Sequence, residues 1–367
     1  MSESRKHTVA MIGNPVSGKG RGAKHGAQVL EALNRGGERY GFDVIDLTGD
    51  GFEGSLANAR GRMDDYDELV VVGGDCMIAL GANAVGASGK PLGIVPVGSG
   101  NDFARGLGLP VNRIPTAVEG IVGAIVRGSH ADVDMGRVRS LPPDHMRDAA
   151  EARAAHGADA IDRFYGGMLN CGLDASINDR ANHSRFPGGS LRYFMAVLAE
   201  VTHLKRYGYH VKATLTDGSV EERDIISPML TVANSRHIGG GLEVSPYSRF
   251  ADGLLDMVWI DHMPTLMEIA DAISKGYNGR LLASHVFGWK RVRDVEITRA
   301  AEGEDAPVLM ADGEYVGAMP VRVTCADRAL RVLVPPAVAL ELAADDGGRS
   351  LAFIERDGRN PVTGEFL

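Results

Sequence analysis

Five carboxylates stand where this chain can do chemistry. Asp75, Asp102 and Asp134 each lie at or just after the end of an apolar, strand-like run. Asp312 and Glu314 flank a glycine in "MADGEYVG". Acidic groups gathered at one sheet edge repel one another unless a cation or hydrogen-bond donors compensate. Beside phosphate, magnesium is the natural partner, because it prefers oxygen ligands and keeps several of its waters. The competing reading is that each carboxylate caps a helix or turn, as Asp102 is placed to do ahead of "FARGLG". For Asp312 the competing reading is a plain hairpin, since Asp-Gly is a leading hairpin signal.

Three glycine turns accompany the carboxylates: "GNPVSGKGRG" (Gly13 to Gly22), "GGDC" (Gly73 to Cys76) and "PVGSGNDFAR" (Pro96 to Arg105). Glycine lets backbone N–H groups approach a ligand closely, and a following helix adds partial positive charge. Singly, each turn reads equally well as a tight connection. Three at one sheet edge point to a nucleotide cleft. The first turn also matches G-x-x-x-x-G-K through Gly13, Gly18 and Lys19, but Gly20 stands where a magnesium-binding hydroxyl belongs. Pro15 removes an amide donor besides. A standard P-loop is therefore rejected.

The elements that must carry these groups change character along the chain. Up to residue 133, strands ("HTVAMIGNP", "FDVIDLT", "LVVVGG", "PLGIVPVG") alternate with helices ("GAKHGAQVLEALNRGGERYG", Ile78 to Val85, "AVEGIVGAIVRG"). Unalternated apolar strands between helices predict a parallel sheet covered on both faces. From 134 to 334, strand candidates follow one another, many with a period of two ("KATLT", "VRVTC"), which predicts an antiparallel sandwich or barrel. Two amphipathic helices interrupt them, "SLRYFMAVLAEVTHLKRY" and "TLMEIADAISKGYNG". The polar stretch from Pro142 to Asp159 reads as an exposed excursion. Residues 335–367 are the candidate to complete the first domain, and their end reads as a loosely held tail.

The chain has 367 residues, enough for two cores. A net charge of -9 removes any global attraction to nucleic acid, so none is expected as a partner. Three cysteines, an odd and sparse set, read as reduced thiols in a cytoplasmic protein. No run approaches the length needed to span a bilayer.

In combination, "NPVSGKGRG", "VVVGGD", "GIVPVGSGNDFARGLGLP" and "ADGE" resemble the diacylglycerol kinase catalytic family, in the expected order from about residue 8 to 335. That family includes the bacterial soluble lipid kinases and is related to the sphingosine kinases. The resemblance implies an α/β N-terminal domain with a Rossmann-like three-layer parallel sheet, then a β-rich C-terminal sandwich, with the active site in the cleft between them. It implies ATP and Mg2+ as cofactors. Asn14, Pro15, Ser17 and Gly18 then belong to the first nucleotide loop, and Thr48 to a nucleotide-contacting position. Gly73, Gly74, Asp75 and Cys76 form the phosphate loop, with Ser99, Asn101 and Asp102 in the third turn. Asp75, Asp102 and Asp134 become an Asp–water–magnesium network. Asp312 and Glu314 become the catalytic pair. A second, structural magnesium is implied at Asp252 and Leu254, although Arg249 stands where some relatives have another carboxylate. The chemistry agrees, because a lipid hydroxyl needs a positioned carboxylate to accept its proton.

One departure opens an alternative. The family signature G-G-D-G-T reads Gly73-Gly74-Asp75-Cys76-Met77. If the fourth position needs a positive φ, a side chain there costs roughly 1–2 kcal/mol. Cys76→Gly is then expected to raise activity or ATP affinity. The readings that follow are an ATP- and Mg-dependent lipid kinase converting diacylglycerol to phosphatidic acid, a lipid-binding relative impaired at Cys76 and Met77, and an NAD kinase-like phosphotransferase. The stripe from Leu191 to Tyr207, with basic residues at its end, is the candidate for peripheral contact at the inner membrane surface. Relatives of this kind are often dimers, which makes a homodimer a candidate assembly.

Overall fold

The structure, a computed structural model, describes residues 5–141, 160–172, 205–306, 308–344 and 348–367. The chain divides into two compact units: residues 1–134 with 328–345, and 135–327 with 346–367. The excursion expected from Pro142 to Asp159 lies outside the described residues, as does most of the Leu191 to Tyr207 stripe.

Unit 1 is built on a parallel sheet. β1 (Thr8–Gly13) pairs on one side with β2 (Asp43–Asp46) and on the other with β3 (Glu68–Gly73), which pairs with β4 (Leu92–Pro96). β1, β3 and β4 are buried at every residue, which is why their apolar runs do not alternate. On one face, Val29 and Leu33 of α2 (Gly22–Tyr40) and Val118, Ile121 and Val122 of α6 (Ile114–Arg127) meet Val9, Met11, Val70, Val72 and Val95. Each such side chain contributes about 1.5–3 kcal/mol on burial. α4 (Asp75–Val85) lies very close to the sheet: a Cβ on its Gly81 would come within 2.6 Å of Leu92.

Unit 2 is antiparallel. β7 (Met168–Gly172), β10 (Met229–Ala233), β13 (Leu255–Ile260) and β14 (Phe287–Arg299) pair in that order. β14 is long enough to serve two neighbourhoods. Beyond an irregularity between Val292 and Asp294 it pairs with β8 (Tyr207–Leu215) and with the start of β17 (Val321–Leu333). β15 (Leu309–Ala311) extends the sheet from β7, and β16 (Glu314–Gly317) forms its edge. β9 (Val220–Ser227) also pairs with β8; its charged alternation hid it from the apolar-run reading. Tyr165, Leu169, Cys171, Val211, Leu230, Met257 and Val295 share one core. α7 (Leu266–Tyr277) begins with a capping box between Thr265 and Glu268.

The chain passes from unit 1 to unit 2 inside β5 (His130–Ser140) and returns inside β17. The strand candidate "VRVTC" thus runs on to Leu333 as one strand, in which Arg328 takes a φ of 47°. The loosely held tail expected from sequence is instead tied down. Arg359 is 2% exposed, and its guanidinium donates to the carbonyls of Leu282, Phe287 and Gly364. Isolated charged letters gave no warning of this, because the acceptors are backbone oxygens distant in sequence.

Candidate active site

In unit 1 the three glycine turns follow β1, β3 and β4 directly. After β1, Asn14 closes the first turn on itself: its Oδ1 accepts the Val16 N–H at 3.2 Å, and Ser17 Oγ donates to its carbonyl at 2.9 Å. Pro15 lies in the turn, and Gly18 lies in the short helix α1 (Ser17–Gly20). A Cβ on Gly22 would sit 2.0 Å from the Asn14 carbonyl, so only glycine lets α2 start there. Thr48 is spent on the same edge, its Oγ1 accepting the Gly13 N–H at 2.9 Å.

The second and third turns meet back to back. A Cβ on Gly98 would lie 2.3 Å from the Gly74 Cα, and one on Gly74 would lie 3.2 Å from the Gly98 Cα. Asn101, fully buried and at a φ of 57°, locks the third turn: its Oδ1 accepts from Gly98 N–H and its Nδ2 donates to Gly98 O, both at 2.8 Å. Ser99 stands exposed at the turn's tip. Gly74 precedes the first turn of α4, whose N-terminal amides form an anion-binding geometry.

At this crossing the structure brings two carboxylates together. Asp75 accepts from the Phe103 N–H at 3.2 Å, so it caps α5 (Asp102–Gly106) from a different loop. A Cβ on Gly100 would sit 2.8 Å from Asp75 Oδ2 and 3.1 Å from Asp102 Oδ2. Burial, and then the like charge of Asp102, push the Asp75 carboxyl up to about 6, against the pull of the nearby amides. Two acidic groups so placed fit a cation that neutralises them, and one that retains waters needs few protein ligands. Asp134 is engaged otherwise: fully buried within β5, its Oδ1 accepts the Arg328 N–H at 2.7 Å and holds that residue's left-handed backbone. Among the described residues, no three acidic, histidine or cysteine side chains converge as a direct metal cage.

Cys76 has no positive φ; it lies in the first turn of α4. The conformational cost attached to it from sequence therefore falls away. Met77 is buried and packs over Gly73, where a Cβ would come within 2.4 Å of the Met77 Cγ. The glycine before the carboxylate thus makes room for the methionine after it.

In unit 2, Asp312 and Gly313 form the turn between β15 and β16, with φ values of 51° and 84°. Such a pair of left-handed residues is what a two-residue hairpin turn requires. The Asp312 carboxylate accepts three amides, from Gly166 at 2.7 Å, Gly167 at 2.8 Å and Met168 at 3.2 Å. Glu314 opens β16 and is partly exposed. Gly166 and Gly167 carried no functional reading from the sequence. The adjacent glycines were the available signal, since they divide β6 (Asp162–Tyr165) from β7.

The residues expected to hold a second ion do not fit one. Asp252 Oδ1 accepts the Leu254 N–H at 3.1 Å, and the Arg291 guanidinium lies 3.8 Å from Asp252 Oδ2. Arg291 also bonds Asp256, the Tyr247 carbonyl and Ser350 Oγ. Arg249 is buried as well, donating to the Ser248 carbonyl. A cationic side chain already balances the carboxylate.

Comparison with known proteins places the chain. Residues 8–138 match the diacylglycerol kinase catalytic domain, and residues 167–334 match the YegS C-terminal NAD kinase beta sandwich-like domain. A diacylglycerol kinase of Mycobacterium tuberculosis is 31% identical over 343 residues, covering 90% of this chain and 97% of the relative. One from Bacillus subtilis is 24% identical over 334 residues, covering 90% and 98%. The solved structure of a putative diacylglycerol kinase from Bacillus anthracis superposes with a TM-score of 0.64 at 18% identity, covering 92% of this chain and all of that one. With two-domain coverage and this level of identity, the chain belongs to the diacylglycerol kinase family and is a diacylglycerol kinase-like kinase.

Proposed function

We propose that the chain transfers the γ-phosphoryl group of ATP to the free hydroxyl of diacylglycerol, giving phosphatidic acid. The observation that carries this reading is the convergence of Asp75 and Asp102 where two glycine turns cross, a carboxylate pair that calls for a cation beside a phosphate-binding helix start. The amides at the start of α4 and the glycine turns hold the triphosphate. Asp75 and Asp102 would hold magnesium, which when bound would neutralise phosphate charge. Asp134 supports that set by fixing the strand crossing at Arg328.

Asp312 and Glu314 serve the acceptor, in divided roles. Three amide donors occupy the Asp312 carboxylate and orient the hairpin. Glu314, on the edge strand, takes the proton from the lipid hydroxyl as it attacks. General-base removal typically costs ~10²–10⁴-fold in rate.

The test offers ATP, Mg2+ and a lipid mixture in micelles, with NAD as a parallel acceptor, and detects phosphorylated products by mass. Phosphatidic acid is expected. Glu314→Gln is expected to bind ATP normally and to lose turnover by ~10²–10⁴-fold. Phosphorylation of NAD alone, or full turnover by Glu314→Gln, overturns the reading.

A further inference from the structure

We propose that Asn234 is a positioning residue for the catalytic hairpin, acting through the Gly166–Gly167 turn; this rests on the roles just given to Asp312 and Glu314. The turn between β6 and β7 has four backbone polar groups at its two glycines, and all four are used. On one side the Asp312 carboxylate takes the Gly166 and Gly167 N–H groups. On the other, Asn234 Nδ2 donates to Gly166 O at 2.9 Å, while the N–H groups of Asn234 and Ser235 donate to Gly167 O at 2.8 and 3.1 Å. The two glycines are thus clamped between a carboxylate and a carboxamide.

Asn234 is fully buried. A buried carboxamide is costly unless its hydrogen bonds are made, and an aliphatic residue at the end of β10 would pack without that demand. The side chain donates where the backbone ladder cannot reach, to a turn carbonyl. Gly167 admits nothing larger, since a Cβ there would lie 2.6 Å from Asp312 Oδ1.

Among the described residues, the hairpin has few other holds. There, β15 pairs with β7 at Met310–Asn170 and Ala311–Leu169. β16, which carries Glu314, is the sheet edge among the described residues and pairs with β15. Asp312 completes the hold by donating its own N–H to the Met168 carbonyl at 3.2 Å. A displacement of the glycine turn therefore passes to Asp312, and from the Asp312–Gly313 turn to Glu314. Misplacing a reacting group by about 1 Å costs on the order of 10²-fold in rate.

The experiment compares full-length wild type with Asn234→Ala, Asn234→Ser, Gly167→Ala and the Asn234→Ala/Gly167→Ala double variant, using a short-chain diacylglycerol in detergent micelles. Ser227→Ala is the control: its buried hydroxyl donates to the Met229 carbonyl, at the opposite end of β10 from Asn234. Each Asn234 or Gly167 variant is expected to lose at least about tenfold in kcat while KM for ATP stays within about twofold. The double variant is expected to be no worse than the poorer single one, because both act through one turn. Ser227→Ala is expected to lose melting temperature but not kcat. Near-normal kcat in the Asn234 variants, or a double loss equal to the product of the single losses, overturns the proposal. Should Asn234→Ala fold poorly, Asn234→Ser and Gly167→Ala read the same quantities. Full activity of Glu314→Gln overturns the underlying functional reading instead, whatever Asn234 does.

Discussion

Asp75 is used twice over. It caps a helix that belongs to another loop, and burial together with the adjacent Asp102 raises its proton affinity. Capping α5 is what brings Asp75 to Asp102. Cys76 shows the reverse. Its letter looks damaging in a glycine signature, yet its backbone is helical. Cys76→Gly is expected to give no gain in ATP affinity or turnover, and to lower stability by up to about 0.5–1 kcal/mol, the usual cost of glycine in a helix. Calorimetric ATP titration and thermal melting check both. A gain in affinity would show that the sulfur obstructs phosphate.

Between elements, cations and carboxylates tie unit 2 together. The Arg291 guanidinium joins β14 to Asp256 of β13, to the Tyr247 carbonyl, and to Ser350 of α9 (Gly348–Arg356). Breaking a buried ion pair by removing one partner leaves the other uncompensated. Arg291→Met is expected to cost about 3–5 kcal/mol in denaturant unfolding. Added Mg2+ is not expected to restore it, because the Leu254 N–H already faces Asp252. Recovery of the wild-type midpoint with Mg2+ would show that the carboxylates retain an ion site after all.

At the scale of the whole chain, the returning C-terminus locks unit 2 through Asp357. Burial works against its charge, but hydrogen bonds from Arg356, Arg280 and Tyr247 outweigh it and hold the carboxyl below the ordinary carboxylate value. A lowered native pKa means the unfolded chain binds the proton more readily, so this contribution is fully present above about pH 4, the ordinary range. It is lost as pH falls through the native value. Asp357→Asn is expected to be less stable than wild type at neutral pH, with the difference shrinking below about pH 4. Urea unfolding across pH reads this directly, and a constant difference down to acid pH would remove Asp357 from the lock.

The sequence by itself determined the local physics. Apolar runs without alternation became β1, β3 and β4, helical spacing became α2 and α6, and glycines at strand ends became the turns that carry Asp75 and Asp102. These follow from contacts within a few residues, where period and turn chemistry are strong. What only the tertiary structure decided are pairings across long stretches of chain. Asp312 meets Gly166 and Gly167 about 145 positions away, Asp134 meets Arg328 across 194, and Arg359 reaches carbonyls more than 70 residues upstream. In each case one partner is a backbone group. A backbone N–H or C=O is the same at every position, so no residue type could have announced it.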